Sequence, residues 1–362
     1  MNKQYQIFGN TKDAMAAMYE AILSAQKSIY WEVYTFVDDE AGRPFFSALV
    51  DRVMAGVDVR IIVDSLGSSD LSDEQVKTLR NAGAEIWFFQ ERTKKIRGWW
   101  KRIWTRTHRK ILIIDEKIGF IGGVNIRADM RDWLDIHVRL EGKVVHSLLR
   151  AFAKTYVICG GDKKKVRHLL KYNFRLLHDR AEFVFDEPSE RRSTARQNYS
   201  EALLKARERV ILFSPYYFPD KKFLHALWQA RRRGIKVDLL LPFRSDIRIM
   251  NWVTYAWFTL MNKLGVDIHL TKEMMHGKGV IMDDEWAMVG SSNLEQTGFY
   301  DNYEANIRLK DKGVVKSLKK IVLSWIEKTE KFDVQKWKER GLVQKAKEKI
   351  AMFLYRLWHG NK

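Results

Sequence analysis

Two segments of the chain carry the same chemically capable residues at the same spacing. In each, a histidine is followed by a lysine two residues later, an aspartate five residues after the lysine and an asparagine ten residues after the aspartate. These residues are His108, Lys110, Asp115 and Asn125 in the first segment, and His276, Lys278, Asp283 and Asn293 in the second. A single His-x-Lys pattern is usually surface decoration, but two copies with the same glycine and asparagine sequel predict a functional site.

Phosphodiester chemistry is what these residue types favour. A histidine and a lysine two positions apart on a strand project from one face, so an imidazole and an ammonium can address one phosphate together. The lysine and asparagine side chains would stabilise the charge that grows on the phosphate oxygens in the transition state. One imidazole can attack phosphorus while the other protonates the leaving alkoxide. Since none of these steps needs a metal ion, we expect no metal and no cofactor.

Four carboxylates belong to the two motifs or follow them. Asp115 and Asp283 are candidate catalytic residues because of their place in the pattern. A structural role as salt-bridge partners is the favoured interpretation. Asp135 and Glu304 occupy matching positions after the motifs. They either hold the imidazoles in the right tautomer or are surface charges, and the sequence leaves both interpretations open.

The segments around the motifs repeat as well. Short strands rich in β-branched residues and leucine alternate with amphipathic helices in the same order in both halves, which predicts an α/β fold of two tandem repeats. In each repeat we expect a mixed, mostly parallel sheet flanked by helices. The predicted division is a first repeat over residues 5–158, a basic connector over 159–196, a second repeat over 197–330 and a basic amphipathic tail over 331–362.

Composition and charge narrow the possible partners. The chain of 362 residues is 46% hydrophobic with a single cysteine, which excludes disorder, a disulfide framework and a cysteine-based zinc site. A formal charge of +19 predicts a polyanionic partner, either nucleic acid or an anionic membrane surface, and thirteen tryptophans favour the membrane. No signal-peptide run and no apolar run of membrane-spanning length is present in the sequence. We therefore predict a cytoplasmic protein bound peripherally to the inner face of the cell membrane.

The paired motifs resemble the phospholipase D superfamily, whose signature is this His-x-Lys-x4-Asp motif in duplicate. Residues 119–126 and 214–220 are most similar to segments of bacterial cardiolipin synthases within that superfamily. The resemblance implies two phospholipase-D-like repeats packed as a pseudo-twofold pair with one shared cleft. It also implies a covalent phosphohistidine, no metal, His108 as the nucleophile and His276 as the general acid and base.

The predicted function is transfer of a phosphatidyl group between two molecules of phosphatidylglycerol, which yields cardiolipin and glycerol. Water in place of the second lipid hydroxyl would make the same site a hydrolytic phospholipase D, and a nuclease or another phosphodiesterase is a further alternative. A membrane scaffold with an inactive site is the non-enzyme alternative, and two complete motifs argue against it. The uneven placement of tryptophan disfavours nucleic acid as a partner, and the oligomeric state stays open.

Three segments are predicted to touch the membrane. Residues 91–106 mix tryptophan with lysine and arginine just before His108, although a solvated loop is the alternative. Residues 247–264 form an aromatic helix, which packing against the other repeat would explain nearly as well. Residues 341–358 place apolar side chains on one helical stripe with lysines elsewhere. That pattern is typical of an interfacial helix, and also of a helix that docks on the body of the protein or on another subunit.

Overall fold

The computed structural model describes residues 4–90, 105–172, 181–188 and 192–359. Within these ranges the chain forms two α/β units, each built on one mixed β-sheet. The α/β class and the tandem arrangement predicted from sequence are confirmed. The predicted membrane-contact segment 91–106 lies outside the described residues except for its last two positions.

The first unit is built from seven strands and four main helices. Its strands are β1 (Tyr5–Phe8), β2 (Ser28–Val33), β3 (Asp58–Asp64), β4 (Glu85–Phe89), β5 (Ile111–Ile114), β6 (Ile118–Gly122) and β7 (His137–Glu141). Its helices are α1 (Thr11–Ser24), α2 (Gly42–Met54), α3 (Asp73–Ala82) and α4 (His146–Ile158), followed by the short α5 (Arg167–Leu170). Asn10 and Ser72 cap the first turns of α1 and α3, because their side-chain oxygens accept from backbone N–H groups that the helix leaves unpaired.

The second unit repeats this order and adds elements at both ends. Its strands are β8 (Ala181–Asp186), β9 (Arg209–Phe213), β10 (Lys236–Pro242), β11 (Asp267–Thr271), β12 (Gly279–Met282), β13 (Trp286–Gly290), β14 (Glu304–Leu309) and β15 (Glu330–Lys331). Its helices are α6 (Thr194–Lys205), α7 (Lys221–Arg232), α8 (Arg248–Lys263), α9 (Lys312–Glu327), α10 (Val334–Lys338) and α11 (Leu342–His359). Strand β8 lies within the segment 159–196 that the sequence analysis treats as a connector, yet it pairs with β14 and so extends the second sheet.

The strand order shows how each sheet is assembled. It is β1-β7-β6-β5-β2-β3-β4 in the seven-stranded sheet and β15-β11-β10-β9-β12-β13-β14-β8 in the eight-stranded sheet. Among the strand pairs of the described residues, only β2–β3, β3–β4, β9–β10 and β10–β11 are parallel. The expectation of mostly parallel pairing is therefore wrong, although both sheets are mixed as predicted. The reason is that the motif strands β5 and β12 each lead through a tight turn into an antiparallel partner instead of a crossover helix.

The apolar core places the two motif strands side by side. One cluster of buried side chains lies between the units and draws on both sheets, on α4 and on α9. A second cluster covers the other face of the first sheet with α1, α2 and α3, and a third covers the other face of the second sheet with α6, α7, α8 and α11. Since the central core is common to both units, their motif strands meet at one place.

The C-terminal helix α11 has two different faces. Ala351 and Tyr355 are buried against the second unit, where α11 lies along α8. The opposite face carries exposed apolar side chains, namely those of Val343, Ile350, Phe353, Leu354 and Leu357. Thus α11 docks on the protein by one face and presents the predicted apolar stripe outward. Among the described residues, no helix combines the length and the apolar character that crossing a bilayer requires.

Candidate active site

The two motif histidines lie where the units meet. His108 and His276 precede β5 and β12, and each is attached to the backbone of the opposite unit. The N–H of His108 donates to the carbonyl oxygen of Tyr303 at 2.9 Å, and the N–H of His276 donates to that of Leu134 at 2.7 Å. Because both segments are held in this way, the half-sites of the two units form one site.

Each imidazole is held by a carboxylate from the opposite unit. Nδ1 of His108 lies 3.0 Å from Oε1 of Glu304, and Nδ1 of His276 lies 2.8 Å from Oδ2 of Asp135. Both carboxylates are buried, so the interpretation of Asp135 and Glu304 as surface charges does not hold. A carboxylate on Nδ1 fixes the ring and leaves Nε2 to meet a substrate.

Lys110 and Lys278 are buried beside the histidines. The Nζ atom of Lys110 donates to the carbonyl oxygen of His108 at 2.8 Å, and that of Lys278 donates to the carbonyl oxygen of His276. Burial and, after it, the positive charge of Lys278 lower the pKa of Lys110 to about 7. Burial also lowers the pKa of Lys278 to about 8, against the opposing charge of Asp135. A bound phosphate anion would stabilise the charged form of both lysines, so the lysine pair is a candidate anion site.

The two histidine–carboxylate pairs differ in the pKa values of their carboxyl groups. Burial, followed by the charges of Lys110 and Lys278, holds the pKa of His108 well below its ordinary value. Burial and Lys278 also lower the pKa of His276, but Asp135 opposes them. Burial raises the pKa of Glu304 to about 8. Burial alone would raise the pKa of Asp135 as well, but the charge and the hydrogen bond of His276 hold it below its usual range. Burial therefore favours the uncharged form of Glu304, whereas the contact with His276 favours the charged form of Asp135.

The motif asparagines lie in the loops that follow β6 and β13. Oδ1 of Asn125 accepts from the N–H of Thr35 at 3.2 Å, and its Nδ2 lies 3.8 Å from the sulfur of Met130. Asn293 is buried, and its Oδ1 has no partner within the described ranges. Asn125 thus keeps an amide hydrogen for a phosphate oxygen.

The residues that pack beside Asp135 and Glu304 differ in size. A Cβ atom on Gly123 would lie 2.2 Å from Oδ1 of Asp135, so glycine leaves the room that this side chain occupies. The matching position in the second unit is Ser291, whose hydroxyl donates to Glu304. The glycine-containing turn after each motif therefore shapes the carboxylate support of the opposite histidine, besides carrying the asparagine.

Asp115 and Asp283 do not join the histidines. Each follows the far end of its motif strand, where its carboxylate accepts from the backbone. Asp115 accepts from the N–H of Ser28 at 3.0 Å, and Asp283 from that of Arg209 at 2.8 Å. Both carboxylates fasten the starts of β2 and β9 to the motif strands. The favoured structural role holds, with backbone N–H groups in place of the expected salt-bridge partners.

Two aromatic residues at the site were not found from the sequence. The ring of Tyr34 meets the imidazole of His108 edge-on at a centroid distance of 5.1 Å, and its centroid lies 5.1 Å from Nζ of Lys110. The ring of Trp133 lies 5.4 Å from that of His276. Neither residue has a counterpart of its type in the other repeat, so a search for duplicated residues does not detect it.

An acidic side chain near the second half-site was also missed. Asp246 follows β10 and accepts from the hydroxyl of Tyr216 at 2.7 Å. Its negative charge opposes the lowering of the pKa of His276 and of Lys278, which indicates that it lies close to both. Tyr216 belongs to the segment 214–220 on which the family resemblance rests. This segment was the sequence signal that could have drawn attention to the surroundings of Asp246.

Comparison with known proteins bears on both repeats. The family described as "Cardiolipin synthase, PLD-like domain" matches residues 18–155 and 199–325, and each match contains one motif. Cardiolipin synthase B of Salmonella typhi is 33% identical over 318 residues, which cover 85% of this chain and 77% of that protein. Cardiolipin synthase B of Escherichia coli (strain K12) is 32% identical over 316 residues, which cover 85% of this chain and 76% of that protein.

The architecture also has a counterpart among solved structures. The crystal structure of phosphatidylserine synthase from Haemophilus influenzae Rd KW20 aligns with a TM-score of 0.75 and covers 99% of this chain and 94% of its own. With 13% sequence identity, this likeness shows a common fold alone. The sequence matches over both repeats confirm the resemblance predicted from the motifs. The chain therefore belongs to the cardiolipin synthase family with PLD-like domains, and it is an enzyme of that family.

Proposed function

We propose that the enzyme transfers a phosphatidyl group from one phosphatidylglycerol to another through a phosphohistidine, and so forms cardiolipin and glycerol. The observation that carries this proposal is the pair of buried imidazoles, each held on Nδ1 by a carboxylate of the opposite unit. Two such imidazoles beside two buried lysines provide a nucleophile, a proton donor and an anion site around one phosphate.

In the first step, Nε2 of His108 attacks the phosphorus of phosphatidylglycerol. The bond from phosphorus to the glycerol headgroup breaks, and His276 donates a proton to the departing glycerol oxygen. His108 suits the attacking role because its pKa is held well below its ordinary value, so that the ring is neutral. His276 is assigned proton transfer because its Nδ1 lies against the Asp135 carboxylate, which opposes the lowering of its pKa by burial and Lys278. The negative charge of a bound phosphodiester favours its protonated form further.

In the second step, His276 takes a proton from a headgroup hydroxyl of a second phosphatidylglycerol. The hydroxyl oxygen attacks phosphorus, the bond from phosphorus to His108 breaks, and both histidines return to their starting states. Lys110, Lys278 and the asparagine amide groups stabilise the charge on the phosphate oxygens in both steps. Water in the place of the acceptor would give phosphatidic acid, so the cleft must exclude water while the phosphohistidine exists.

The lipid substrate requires contact with a bilayer, and the proposal includes peripheral binding at the inner face of the cell membrane. The exposed apolar stripe of α11, with Lys347 and Lys349 on the same helix, suits an anionic lipid surface. Ile247 and Ile249, at the start of α8, are also exposed, whereas Trp257 and Phe258 of the predicted contact over residues 247–264 are buried in the second unit. The formal charge of +19 favours the same partner.

Product analysis tests the proposed reaction. Purified protein is incubated with phosphatidylglycerol in detergent micelles, with a chelator present, and the lipids and released alcohol are measured. Equal amounts of cardiolipin and glycerol are the expected products. Phosphatidic acid alone would assign a hydrolase, and cleavage of DNA without turnover of lipid would assign a nuclease.

The rate of transfer is expected to fall on the alkaline side. Lys110 and Lys278 hold their charges below pKa values of about 7 and about 8, and these charges are lost as the pH rises through those values. On the acid side, the lowered pKa of His108 keeps the nucleophile neutral to below pH 6.5. The pKa of His276 is lowered as well, so the loss of its donor proton adds a first fall in rate below the range in which the lysines lose their charges. The measurement is kcat/KM for micellar phosphatidylglycerol from about pH 5 to about pH 9.5.

The variant Lys278→Arg is the control for this pH profile. Arginine keeps its charge throughout the range, so the alkaline limb is expected to move to higher pH even where the maximal rate is reduced. An alkaline limb that stays in place in both Lys278→Arg and Lys110→Arg would contradict the assignment of this limb to the lysines.

A further inference from the structure

The inner face of α11 reaches the loop that carries Asn293. The hydroxyl of Tyr355 donates to Oε2 of Glu295 at 2.8 Å, and both side chains are buried. The ring of Tyr355 also packs on Phe218 at a centroid distance of 4.2 Å. A residue near the end of the chain therefore contacts the segment immediately after an active-site asparagine.

Glu295 organises the turn on which Asn293 rests. Its carboxylate accepts from the N–H groups of Thr297 and Gly298, each at 2.7 Å. A Cβ atom on Gly298 would lie 2.9 Å from both the backbone nitrogen and the backbone oxygen of Asn293, so this turn packs directly on the asparagine backbone. A shift of Glu295 would consequently shift Asn293.

The first unit holds its equivalent loop in another way. Asp39 accepts from the N–H of Ala128 at 2.7 Å, within the turn that follows Asn125. Arg127, the counterpart of Glu295, forms ion pairs with the aspartates Asp70 and Asp129. The support from a C-terminal helix is thus specific to the second half-site, which contains the histidine assigned to proton transfer.

We propose that α11 connects the lipid surface to the active site, with Tyr355 as a positioning residue for phosphatidyl transfer. The outer face of the helix lies in the interface of an anionic bilayer, and the inner face holds the Asn293 loop through the Tyr355–Glu295 hydrogen bond. The inference rests on the proposed function. Beyond that function, we expect the enzyme to lose turnover when the Tyr355–Glu295 hydrogen bond is removed, even where lipid binding is intact.

The variant Tyr355→Phe tests the internal contact in the full-length protein. Removal of the hydroxyl is expected to lower kcat in phosphatidylglycerol micelles about tenfold, the order expected for a lost hydrogen bond to a charged group, with KM unchanged. Sedimentation with vesicles of phosphatidylglycerol and phosphatidylcholine is expected to match the unaltered protein. Tyr172→Phe is the matched control, since it removes another tyrosine–glutamate hydrogen bond, of 3.4 Å to Glu116, remote from the site. A kcat for Tyr355→Phe equal to that of Tyr172→Phe would overturn the positioning role.

A double-substitution cycle separates positioning from general destabilisation. In a Glu295→Ala background, Tyr355→Phe is expected to have a smaller effect on kcat than in the unaltered protein, because the carboxylate partner is already absent. Glu295→Gln keeps an acceptor for Tyr355 and is expected to restore part of the kcat lost in Glu295→Ala. Effects of the two single substitutions that multiply in the double variant would overturn the proposed link.

The outer face is tested by Phe353→Glu, which places a charge within the exposed apolar stripe. Binding to the anionic vesicles is expected to weaken about tenfold, while kcat in micelles of short-chain phosphatidylglycerol is retained. Unchanged vesicle binding would overturn the lipid contact of α11. Turnover of bis(p-nitrophenyl) phosphate by the same variants reports on the site independently of lipid chemistry. Failure of the unaltered protein to form cardiolipin would therefore count against the proposed function and leave the effect of Tyr355→Phe measurable.

Discussion

Replacing His108 with alanine is expected to lower kcat for phosphatidyl transfer by at least about 10⁴-fold and to prevent any covalent intermediate, because the group that attacks phosphorus is removed. His276→Ala is expected to lower kcat to a similar degree while leaving the attack possible. The two variants can be distinguished with bis(p-nitrophenyl) phosphate, whose leaving group needs no proton. His276→Ala should release one equivalent of p-nitrophenol in a burst and then stop, whereas His108→Ala should show no burst.

His168→Ala serves as the control for these two variants. This histidine is exposed and lies 3.2 Å from Glu116, so its loss is expected to leave turnover unchanged. A burst in His108→Ala and none in His276→Ala would exchange the two roles. The absence of a burst in His276→Ala, with normal turnover by the unaltered protein, would contradict the phosphohistidine.

Asp135→Asn is expected to lower kcat by about 10³- to 10⁴-fold, because an amide cannot stabilise the charge that His276 carries while it holds a proton, and it favours the wrong tautomer. Glu304→Gln is expected to cost about tenfold, since burial raises the pKa of Glu304 to about 8 and so favours an uncharged form that glutamine resembles. The measurement is kcat at pH 7 for both variants, with thermal unfolding to verify the fold.

A second histidine–aspartate pair, in which the aspartate is buried, provides the control for this comparison. Asp238 accepts from Nε2 of His269 at 2.8 Å, on strands away from the motif histidines. Asp238→Asn is expected to reduce thermal stability and to leave kcat unchanged. Equal losses of kcat in Asp135→Asn and Glu304→Gln would contradict the difference in charge between the two half-sites.

The candidate site was largely predictable from residue types and spacing. The histidines, lysines and asparagines stand at identical offsets in two copies, and their chemistry follows from their side chains. The sequence also placed Asp135 and Glu304 at matching positions, but it left open whether either contacts a histidine. The structure answers this, because each carboxylate crosses to the histidine of the opposite unit. No local pattern encodes a contact between residues that come together only when two sheets pack on one core.

The elements of the fold also divide into those that the sequence predicts and those that depend on tertiary contacts. Alternating strands and helices were readable as periods in the sequence, whereas the pairing of β8 with β14 and the hairpins of β5 and β12 depend on partners distant in the chain or on tight turns. The C-terminal helix α11 shows both kinds of feature. Its apolar stripe was evident from helical spacing, but the buried inner face and the bond from Tyr355 to Glu295 were not.

The sequence by itself therefore determined the duplication, the α/β class, the catalytic residue types and the amphipathic tail, since each depends on residue identity and local period. Only the tertiary structure decided which carboxylate serves which histidine and that Asp115 and Asp283 support the strands. It also decided which loop the C-terminal helix holds. These are long-range contacts whose geometry is set by the packing of the two units, and burial within that packing determines which of the paired groups carry charge.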